Sequence, residues 1–345
     1  MNVKITLKIK MWLSILLVML LVMPFMLSAA EGEKVVKHET GFYYTVQKGD
    51  TLWDLSRKFS DSAWLWPEMW RENDQIANPH RIYPGERIRL LRRTGSQTTG
   101  DTDAGKKAMI VPPTLEDLIR YNYSAVDRVG FVRKQPVTPH GAIFKVLETK
   151  EMISIDDTVY IRPAENIKLI PGKRYTIYRT LKPYRDQYTN SYIGIQHVLT
   201  GVVEINQIQS NYAVATVIKA YRPIYIEDNI MPYYRRLPDV VIKESPKDLQ
   251  GQVFEAEDHN RLIGDHMIAF IDKGKKDGVQ RGQFYNVYYR VIERIHPRKR
   301  QRTQLVPVEL AEVLVLHTED TTATVIVTSA EREFEPGSKI RSPIE

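Results

Sequence analysis

The histidine, cysteine and serine patterns limit the catalytic chemistry that this chain could support. Its 345 residues include no cysteine, which removes thiol nucleophiles, disulfides and a lipid-modified N-terminal cysteine. His259 and His266 are seven positions apart, which does not match the helical zinc pair His-Glu-x-x-His. The sequence contains neither a Gly-x-Ser-x-Gly elbow nor a phosphate-binding glycine loop. We therefore expect no metal site, no cofactor and no catalytic nucleophile of these types.

Carboxylates leave one enzymatic alternative open. A glycosidase needs only a pair of acidic side chains, so motif searches cannot exclude one in the C-terminal region. That region is a duplicated β unit whose acidic positions are mostly unmatched between the two copies, which is unusual for a catalytic domain. We keep a cell-wall hydrolase of glycosidase type as the alternative to a non-enzymatic protein.

A basic run, RVIERIHPRKRQR, occupies residues 290–302. It could attract acidic polymers, anionic headgroups or peptide carboxylates, but such runs are also typical of solvated loops. The formal net charge is +7, and without Lys4, Lys8 and Lys10 it falls to +4. That excess does not indicate a nucleic-acid-binding protein, and we expect no nucleic-acid partner.

The first 30 residues contain a basic, an apolar and a small-residue segment in the order that is typical of a secretory signal peptide. The three N-terminal lysines precede the apolar run 11–27, and Ser28, Ala29 and Ala30 follow it. We predict cleavage after Ala30 and export to the periplasm or cell wall of a bacterium, with no stable membrane span after cleavage. The alternative is an uncleaved anchor, since the run approaches the minimum length of a span.

Residues 44–91 combine two short strand patterns with two helical ones. The segment opens with Tyr44, Val46, Gly49, Asp50, Thr51, Leu52 and Trp53, and it closes with Asn73, Ile76, Asn78, Pro79, Ile82, Pro84 and Gly85. These residues and their spacing resemble the lysin motif (LysM), a βααβ module that binds peptidoglycan and other N-acetylglucosamine polymers. We assign residues 42–92 to a LysM domain.

The resemblance also implies a binding groove. One side would be formed by the first turn and the other by the loop before the last strand. Carried over to this sequence, the glycan-binding residues are Gly49, Asp50, Thr51 and Leu52 on one side and Asn78, Pro79, His80, Arg81 and Ile82 on the other. Backbone groups in turns can pair with an acetamido group, while apolar side chains contact its methyl and ring faces. The interaction is binding without catalysis.

Four tryptophans follow the first turn of this domain. We expect Trp53 and Leu55 to lie in its core. Trp66 and Trp70 are four positions apart and could cover one face of the second helix. Trp64 is the one expected to be exposed. The alternative is that the cluster provides platforms for sugar rings.

The rest of the chain contains a linker and a tandem repeat. Gly, Ser, Thr and Asp dominate the predicted flexible linker, 93–113, after which Thr114 and Asp117 resemble the capping box of a short helix. A shift of 110 positions aligns residues 131–230 with 241–340 without a gap. Runs such as YTIYR and FYNVYYR predict β-strands in both copies. We expect two small barrels or sandwiches, 114–235 with the leading helix and 236–345, connected near Pro232 to Pro238.

The predicted fold is therefore an α+β βααβ LysM module followed by two tandem all-β repeat domains. The predicted function is that of a non-enzymatic envelope protein held on peptidoglycan or another N-acetylglucosamine polymer. Its β repeats would act as docking or assembly modules for an envelope protein partner.

Overall fold

In the part of the chain that the structure describes, most regular structure is β-strand, and the α-helices lie within residues 52–71. A computed structural model describes residues 40–60, 62–90, 119–148, 152–186, 189–293 and 302–343. The predicted signal segment, the predicted linker and the start of the short helix at Thr114 lie outside the described residues. So does most of the basic run. No helix within the described ranges is long and apolar enough to cross a bilayer.

The helices and strands follow one another in the predicted order. The α-helices are α1 Leu52–Ser60 and α2 Trp66–Arg71. The strands are β1 Gly41–Thr45, β2 Arg87–Arg89, β3 Arg120–Asn122, β4 Phe131–Arg133, β5 Gly141–Val146, β6 Thr158–Pro163, β7 Arg174–Arg185, β8 Tyr192–Ile208, β9 Ala213–Ala220, β10 Asn229–Pro232, β11 Asp239–Val241, β12 Gln250–Ala256, β13 Ile268–Ile271, β14 Phe284–Tyr289, β15 Ile292–Glu293, β16 Thr303–Gln304, β17 Val308–Thr318, β18 Ala323–Ala330 and β19 Lys339–Arg341.

The N-terminal region has the predicted βααβ arrangement. Strands β1 and β2 pair antiparallel, with Tyr44 opposite Ile88. The two helices pack on one face of this pair and bury an apolar core of Tyr44, Val46, Leu52, Leu55, Met69, Ile76, Ile88 and Leu90. Met69 and Ile88 are completely excluded from solvent, so this small module has a true hydrophobic centre.

Each repeat forms a closed antiparallel barrel. The first ring runs β5-β6-β9-β8-β7-β10 and closes by pairing of β10 with β5. The second ring, β12-β13-β18-β17-β14-β19, closes in the same way through β19 and β12. The predicted all-β repeats are confirmed. Closure removes the free strand edges that an open sandwich would leave.

The two barrels share one register at the shift of 110 positions. Thr158 pairs with Thr216 in the first barrel, and Ile268 pairs with Ile326 in the second. The irregularities are repeated as well, because the register shifts at residues 143–145 and again at 253–255. Bulges bend a strand and re-aim its side chains, so both barrels bend at the same point.

The buried core positions of the two barrels correspond one to one. Every buried member of the first core has a counterpart 110 positions later in the second core. Tyr175 corresponds to Tyr285 and Ile230 to Ile340, and all four are buried. The core positions of the first barrel are Ile143, Val146, Ile153, Val159, Ile161, Leu169, Tyr175, Ile177, Val203, Ile205, Ala213, Ala215, Val217, Ile224 and Ile230.

One sheet joins the N-terminal module to the repeat region. Its strand order is β11-β3-β1-β2, so the two LysM strands are extended by one strand from before the first barrel and one from between the barrels. Phe42 is opposite Tyr121, and Tyr121 is opposite Val240. Strands from three of the ranges predicted as domains therefore share a single sheet, within the compact unit Glu39–Glu345.

An ion pair crosses this sheet. The guanidinium of Arg87 on β2 donates to both carboxylate oxygens of Asp239 on β11, at 3.2 and 3.1 Å. Asn122 on β3 donates to the same carboxylate at 2.7 Å. Burial alone would raise the pKa of Asp239, but these hydrogen bonds and the Arg87 charge outweigh it and lower the pKa.

The same sheet packs against the second barrel. The ring of Phe42 lies 4.9 Å from that of Tyr121 and 5.9 Å from that of Phe284 on β14. The shared apolar cluster contains Tyr121, Tyr123, Val126, Val129, Val240, Phe284, Leu314, Leu316 and Ile326. The N-terminal module is therefore seated on one barrel by both strand pairing and side-chain burial.

The corresponding outer positions of the first barrel are polar. Phe284 and Leu314 correspond to Arg174 and Glu204, which form a 3.0 Å ion pair. Leu316 and Ile326 correspond to Asn206 and Thr216, whose side chains are hydrogen-bonded at 2.8 Å. The chemical difference between the repeats explains why the module packs on the second barrel and not on the first.

The two barrels meet through a charged and hydrogen-bonded junction. Arg133 on β4 forms a bidentate ion pair with Glu319 at 2.9 and 3.0 Å. The backbone N–H of Gly130 donates to Glu257 at 2.5 Å, and Arg222 lies 3.1 Å from that carboxylate. Burial raises the pKa of Glu257, although the Arg222 charge opposes the shift.

His317 lies in the same junction. Burial lowers the pKa of His317, so its neutral form is favoured. Its Nε2 is 2.9 Å from Glu319 Oε1. Burial would raise the pKa of Glu319, but the bonds and charges of His317 and Arg133 lower it overall. An ionised carboxylate can only accept, so His317 must donate from Nε2.

His197 is completely buried beside this junction and makes two defined hydrogen bonds. Its Nε2 accepts the backbone N–H of Val137 at 3.0 Å, and its Nδ1 donates to Ile195 O at 3.1 Å. The ring stacks on Phe131 with centroids 4.6 Å apart. Burial lowers the pKa of His197 from 6.5 to about 4. Protonation would cost the Val137 bond and place a charge in an apolar site.

This burial predicts an acid-sensitive first barrel. The folded pKa of about 4 lies below the ordinary 6.5, so the unfolded chain binds more protons between these values and stability falls as pH decreases through them. We expect a loss of about 3 kcal/mol in unfolding free energy from pH 7 to pH 4 from this residue. Urea denaturation followed by circular dichroism at several pH values measures it.

The matched variants are His197→Gln and His80→Gln. Gln at position 197 can still donate and accept but does not titrate, so it should flatten the pH dependence while lowering the stability at pH 7. His80→Gln, at an exposed side chain, controls for the replacement of a histidine by glutamine. A wild-type profile retained in H197Q would contradict the assignment.

At Gly282 the backbone of the second barrel comes close to β11. Its φ is +97°, and an added Cβ would overlap the carbonyl oxygen of Val241. Gly172, its counterpart in the first barrel, has a φ of +72° with open space around the same position. Comparison of these two glycines therefore separates the effect of backbone strain from the effect of a steric clash.

We predict that Gly172→Ala loses about 1 kcal/mol from strain alone. Gly282→Ala should lose several times more because β11 must move away from the barrel. Hydrogen exchange of Asp239–Val241 should accelerate only in G282A. Equal destabilisation of the two variants would show that the close approach is unimportant.

Candidate functional site

The first side of the predicted glycan site is a tight turn before α1. Asp50 accepts the backbone N–H of Gln47 at 2.7 Å, which closes the turn. Gly49 has a φ of +98°, and no atom lies within 4 Å of the position that a Cβ would occupy there, so its backbone is open to solvent. Thr51 is exposed, whereas the Leu52 side chain is only 2% exposed and belongs to the core.

Thr51 has a structural role that limits its freedom to bind. Its Oγ1 accepts the backbone N–H of Asp54 at 3.1 Å and donates to the Asp54 carboxylate at 2.7 Å. This is the N-cap of α1, which satisfies an otherwise unpaired helix donor.

The second side is the loop between α2 and β2. Asn78 Oδ1 accepts the backbone N–H of His80 at 3.0 Å, and Arg81 N donates to Asn78 O at 2.9 Å. Asn78, His80 and Arg81 are exposed, while Pro79 and Ile82 are partly buried. Ile82 packs against the domain core. The loop is therefore held by its own backbone, with polar side chains directed to solvent.

Backbone pairing brings the chain after β1 next to the chain before β2. Val46 N donates to Glu86 O at 2.8 Å, and Gly85 N donates to Val46 O at 2.9 Å. At the other end of the loop, the His80 ring lies 6.0 Å from that of Trp66 on α2. The loop is thus fixed to both the sheet and the second helix.

Buried Asn73 connects the end of α2 to β2 through side-chain hydrogen bonds. Its Nδ2 donates to Met69 O and Arg89 O at 2.6 and 2.9 Å, and its Oδ1 accepts Arg89 N–H at 2.7 Å. Each of these bonds is to backbone, and the last two occupy the outer edge of the strand. An Asn at the end of the second helix is therefore needed to position the loop that follows.

The tryptophans do not all lie where the sequence placed them. The expectation of a core position was wrong for Trp53, which is 40% exposed, and confirmed for Leu55, which is 1% exposed. Trp64 is 78% exposed as predicted, and its ring meets Trp53 edge-on at 4.9 Å. Helical periodicity alone could not separate Trp53 from its neighbour Leu52, which turns inward.

Trp70 is half-exposed and its indole donates to Ile76 O at 2.7 Å. The tryptophan is therefore part of the support of the loop that begins after α2. Its partner Trp66 packs against the core from the same helix. These contacts agree with a structural role for both side chains.

The basic run contributes one residue to an open cleft of about 480 Å³ on the second barrel. Arg290 lines it together with Lys273, Lys339 and Tyr288, and Asp272 is also at its wall. Burial raises the pKa of Asp272. The residues 294–301 at the centre of the run lie outside the described part of the chain.

No group of three or more histidine or acidic side chains within the described residues is arranged to hold a metal ion. The two turns of the candidate site offer backbone groups, an amide, an imidazole and a guanidinium. Such groups can pair with neutral hydroxyl and acetamido groups of a sugar without proton transfer. The chemistry of this surface is that of a binding module.

The N-terminal module defined by this fold and surface is a LysM domain. The family model of the LysM domain matches residues 44–90. LysM domains bind peptidoglycan and are typical of cell-envelope proteins.

A protein with a similar segment is "Uncharacterized protein YqbP" of Bacillus subtilis (strain 168). It is 39% identical over 57 residues. The match covers 14% of this chain and 26% of that protein. The similarity is therefore confined to a short segment and spans only about a quarter of that protein.

Replacing the Thr51 cap should destabilise the first turn of the candidate site. We predict that Thr51→Ala lowers the unfolding free energy of the domain by about 1 kcal/mol, while Thr51→Ser, which keeps the hydroxyl, changes it little. Apart from Trp12, the tryptophans of the chain are all at positions 53–70. Tryptophan fluorescence of the chain from Glu31 during urea denaturation therefore reports on this domain alone. Equal loss in both variants would contradict the cap assignment.

Proposed function

We propose that the protein is a non-enzymatic component of a bacterial cell envelope. Its LysM domain binds N-acetylglucosamine-containing glycan, and its two β-barrels dock or assemble with other envelope components. The observation that carries the proposal is the LysM domain at residues 44–90, whose two candidate binding segments are ordered turns with exposed polar groups.

The proposed glycan contacts are Gly49, Asp50 and Thr51 from the first turn and Asn78 to Ile82 from the second. Leu52 contributes only through its backbone, because its side chain is in the core. Asn78, His80 and Arg81 supply exposed donors and acceptors, and Gly49 allows close approach of a sugar. The N-terminal apolar segment with its small-residue exit supports export, in agreement with an envelope location.

The seating of the LysM domain gives the barrels a defined position relative to the glycan. Strand pairing between β1 and β3 and the packing of Phe42 on Phe284 support a rigid connection. Binding of the LysM domain to a glycan would then hold the second barrel in one orientation relative to that glycan. This favours an anchoring and positioning role over that of a freely moving tether.

The packing of the LysM domain on the second barrel limits which variants can test the proposal. Removing residues 41–90 would expose Tyr121 and Phe284, so loss of binding after deletion would be ambiguous. Thr51 and Ile82 are poor targets because one caps α1 and the other packs against the core. Exposed loop side chains are better choices.

We predict that Arg81→Glu weakens binding to chitooligosaccharides and to purified sacculi at least about tenfold, which corresponds to about 1.4 kcal/mol. The change removes guanidinium donors and places a carboxylate where a sugar must be accommodated. Isothermal titration calorimetry and sacculus pull-down measure the effect.

The matched control is Arg71→Glu, the same change at an exposed position on α2 of the same domain. It should bind as the wild type does. Equal binding by R81E and the wild type would contradict the proposed groove. Release of soluble muropeptides from sacculi by the wild-type chain would instead favour the hydrolase alternative.

A further inference from the structure

Trp53 and Trp64 of the LysM domain form an exposed aromatic pair. Trp53 is 40% exposed and Trp64 is 78% exposed. Their ring centroids are 4.9 Å apart and their planes are inclined by 76°, so the edge of one indole meets the face of the other. Aromatic side chains stabilise a fold mainly when they are buried. The exposure of both rings is therefore not explained by the stability of the domain.

The other two tryptophans of the domain, Trp66 and Trp70, are held by contacts within it. Trp66 packs against the core, and the Trp70 indole donates to Ile76 O at 2.7 Å. By contrast, the indole N–H groups of Trp53 and Trp64 have no hydrogen-bond partner among the described residues. The exposed pair therefore keeps ring surface and hydrogen-bond donors available to a ligand.

The pair adjoins the first turn of the candidate site. Trp53 is the second residue of α1, and Thr51, whose hydroxyl caps the same helix, precedes it by two positions. Helix geometry places Cα atoms two positions apart at about 5 Å from each other. Thr51 and Gly49 are both exposed. The exposed turn therefore continues directly into the exposed aromatic pair.

Contacts also connect the pair with the second side of the candidate site. Trp64 belongs to the single 3-10 turn Ala63–Leu65, which leads directly into α2. The ring of Trp66, the first residue of α2, lies 6.0 Å from that of His80. His80 is exposed, as Trp64 is. The position of the pair is therefore fixed relative to both candidate binding segments.

The exposed indoles supply a type of contact that the two turns lack. A pyranose ring packs its C–H groups on an aromatic face, while its hydroxyl and acetamido groups pair with N–H donors. The turns offer polar groups, but the Leu52 side chain is in the core and Ile82 is partly buried. Trp53 and Trp64 would add the flat apolar surface on which a sugar ring can stack.

The size of the pair limits its occupant. A buried aromatic side chain contributes about 150–250 Å², whereas a stable protein–protein interface covers about 800 Å² on each partner. The exposed side of α1 continues beyond Trp53 with charged residues, since Asp54 and Arg57 form an ion pair at 3.4 Å. Two indoles bordered by charges are too small for such an interface. They match single sugar rings, and the adjoining polar turns favour a glycan as the occupant.

We propose that Trp53 and Trp64 form an additional subsite of the glycan-binding surface and stack on a sugar ring beyond those that the two turns contact. The inference rests on the proposed function, because it needs an N-acetylglucosamine-containing glycan in the adjoining turns. A short glycan that fills the turns does not reach the pair, whereas a longer one does. The aromatic pair therefore makes the domain select glycans by length.

The test is isothermal titration calorimetry of the chain from Glu31, which contains every described residue, with chitotriose and chitohexaose. The wild type should bind chitohexaose at least about tenfold more tightly than chitotriose. Trp64→Ala should lose most of this difference and leave the affinity for chitotriose unchanged. Trp53→Ala should have the same effect, because it removes the other ring of the pair.

Two further variants separate stacking from a general effect on the fold. Trp64→Phe keeps an aromatic face and should retain most of the preference for chitohexaose. Tyr234→Ala, at an aromatic side chain outside the LysM domain that is 79% exposed, should bind both oligosaccharides as the wild type does. Circular dichroism checks that each variant is folded.

The outcomes distinguish this inference from the proposed function. A wild type that binds neither oligosaccharide would contradict both. Equal affinity of the wild type for both, or an unchanged preference for chitohexaose in folded W64A and W53A, would overturn the subsite alone. R81E should instead weaken binding of both oligosaccharides to a similar extent. Binding of phosphatidylcholine vesicles that is lost in W64A, with unchanged binding of chitohexaose, would assign the pair to lipid headgroups and overturn the inference.

Discussion

The pairing of β1 with β3 is the interaction on which the arrangement of the chain depends. It converts a two-stranded LysM ladder into a four-stranded sheet and carries Phe42 to the surface of the second barrel. A two-stranded ladder has little stability alone, and additional strands with a buried face supply it. Arg87 and Asp239 then link the two outer strands of the sheet. The glycan-binding module and the repeat region become one packed unit through these contacts.

The duplication provides an internal comparison that single domains lack. Both barrels keep the same register, bulges and core positions, and their chemical character differs most on the outer surfaces. On the second barrel the outer residues Phe284 and Leu314 receive the LysM sheet; on the first, Arg174 and Glu204 face water. Corresponding cores with different exteriors indicate that the copies share a fold but present different outer surfaces.

Much of this could be read from the sequence, because strong signals were local or periodic. The βααβ module followed from closely spaced turn and apolar residues, and the two β units from an ungapped shift of 110 positions. The shared sheet could not be predicted in this way. Strands β3 and β11 are three residues each, which is too short for an alternation to be recognised, and their partners are distant in sequence.

The candidate site was predictable only in part for a similar reason. Its segments were found by resemblance, but the sequence could not show that Thr51 caps a helix or that Leu52 is buried. Trp53 was misplaced because neighbouring apolar residues at a helix start can face either way. Those distinctions depend on tertiary packing, which a local pattern does not contain.

The strand order β11-β3-β1-β2 also has a mechanical consequence. A load applied to the LysM domain passes from β1 to β3 and β11, and from there to the second barrel through Gly282 and Phe284. Along the strand direction, the hydrogen bonds of such a ladder share the load and must fail together instead of opening one by one. The LysM domain is therefore coupled to the second barrel by a rigid connection that resists a pulling force.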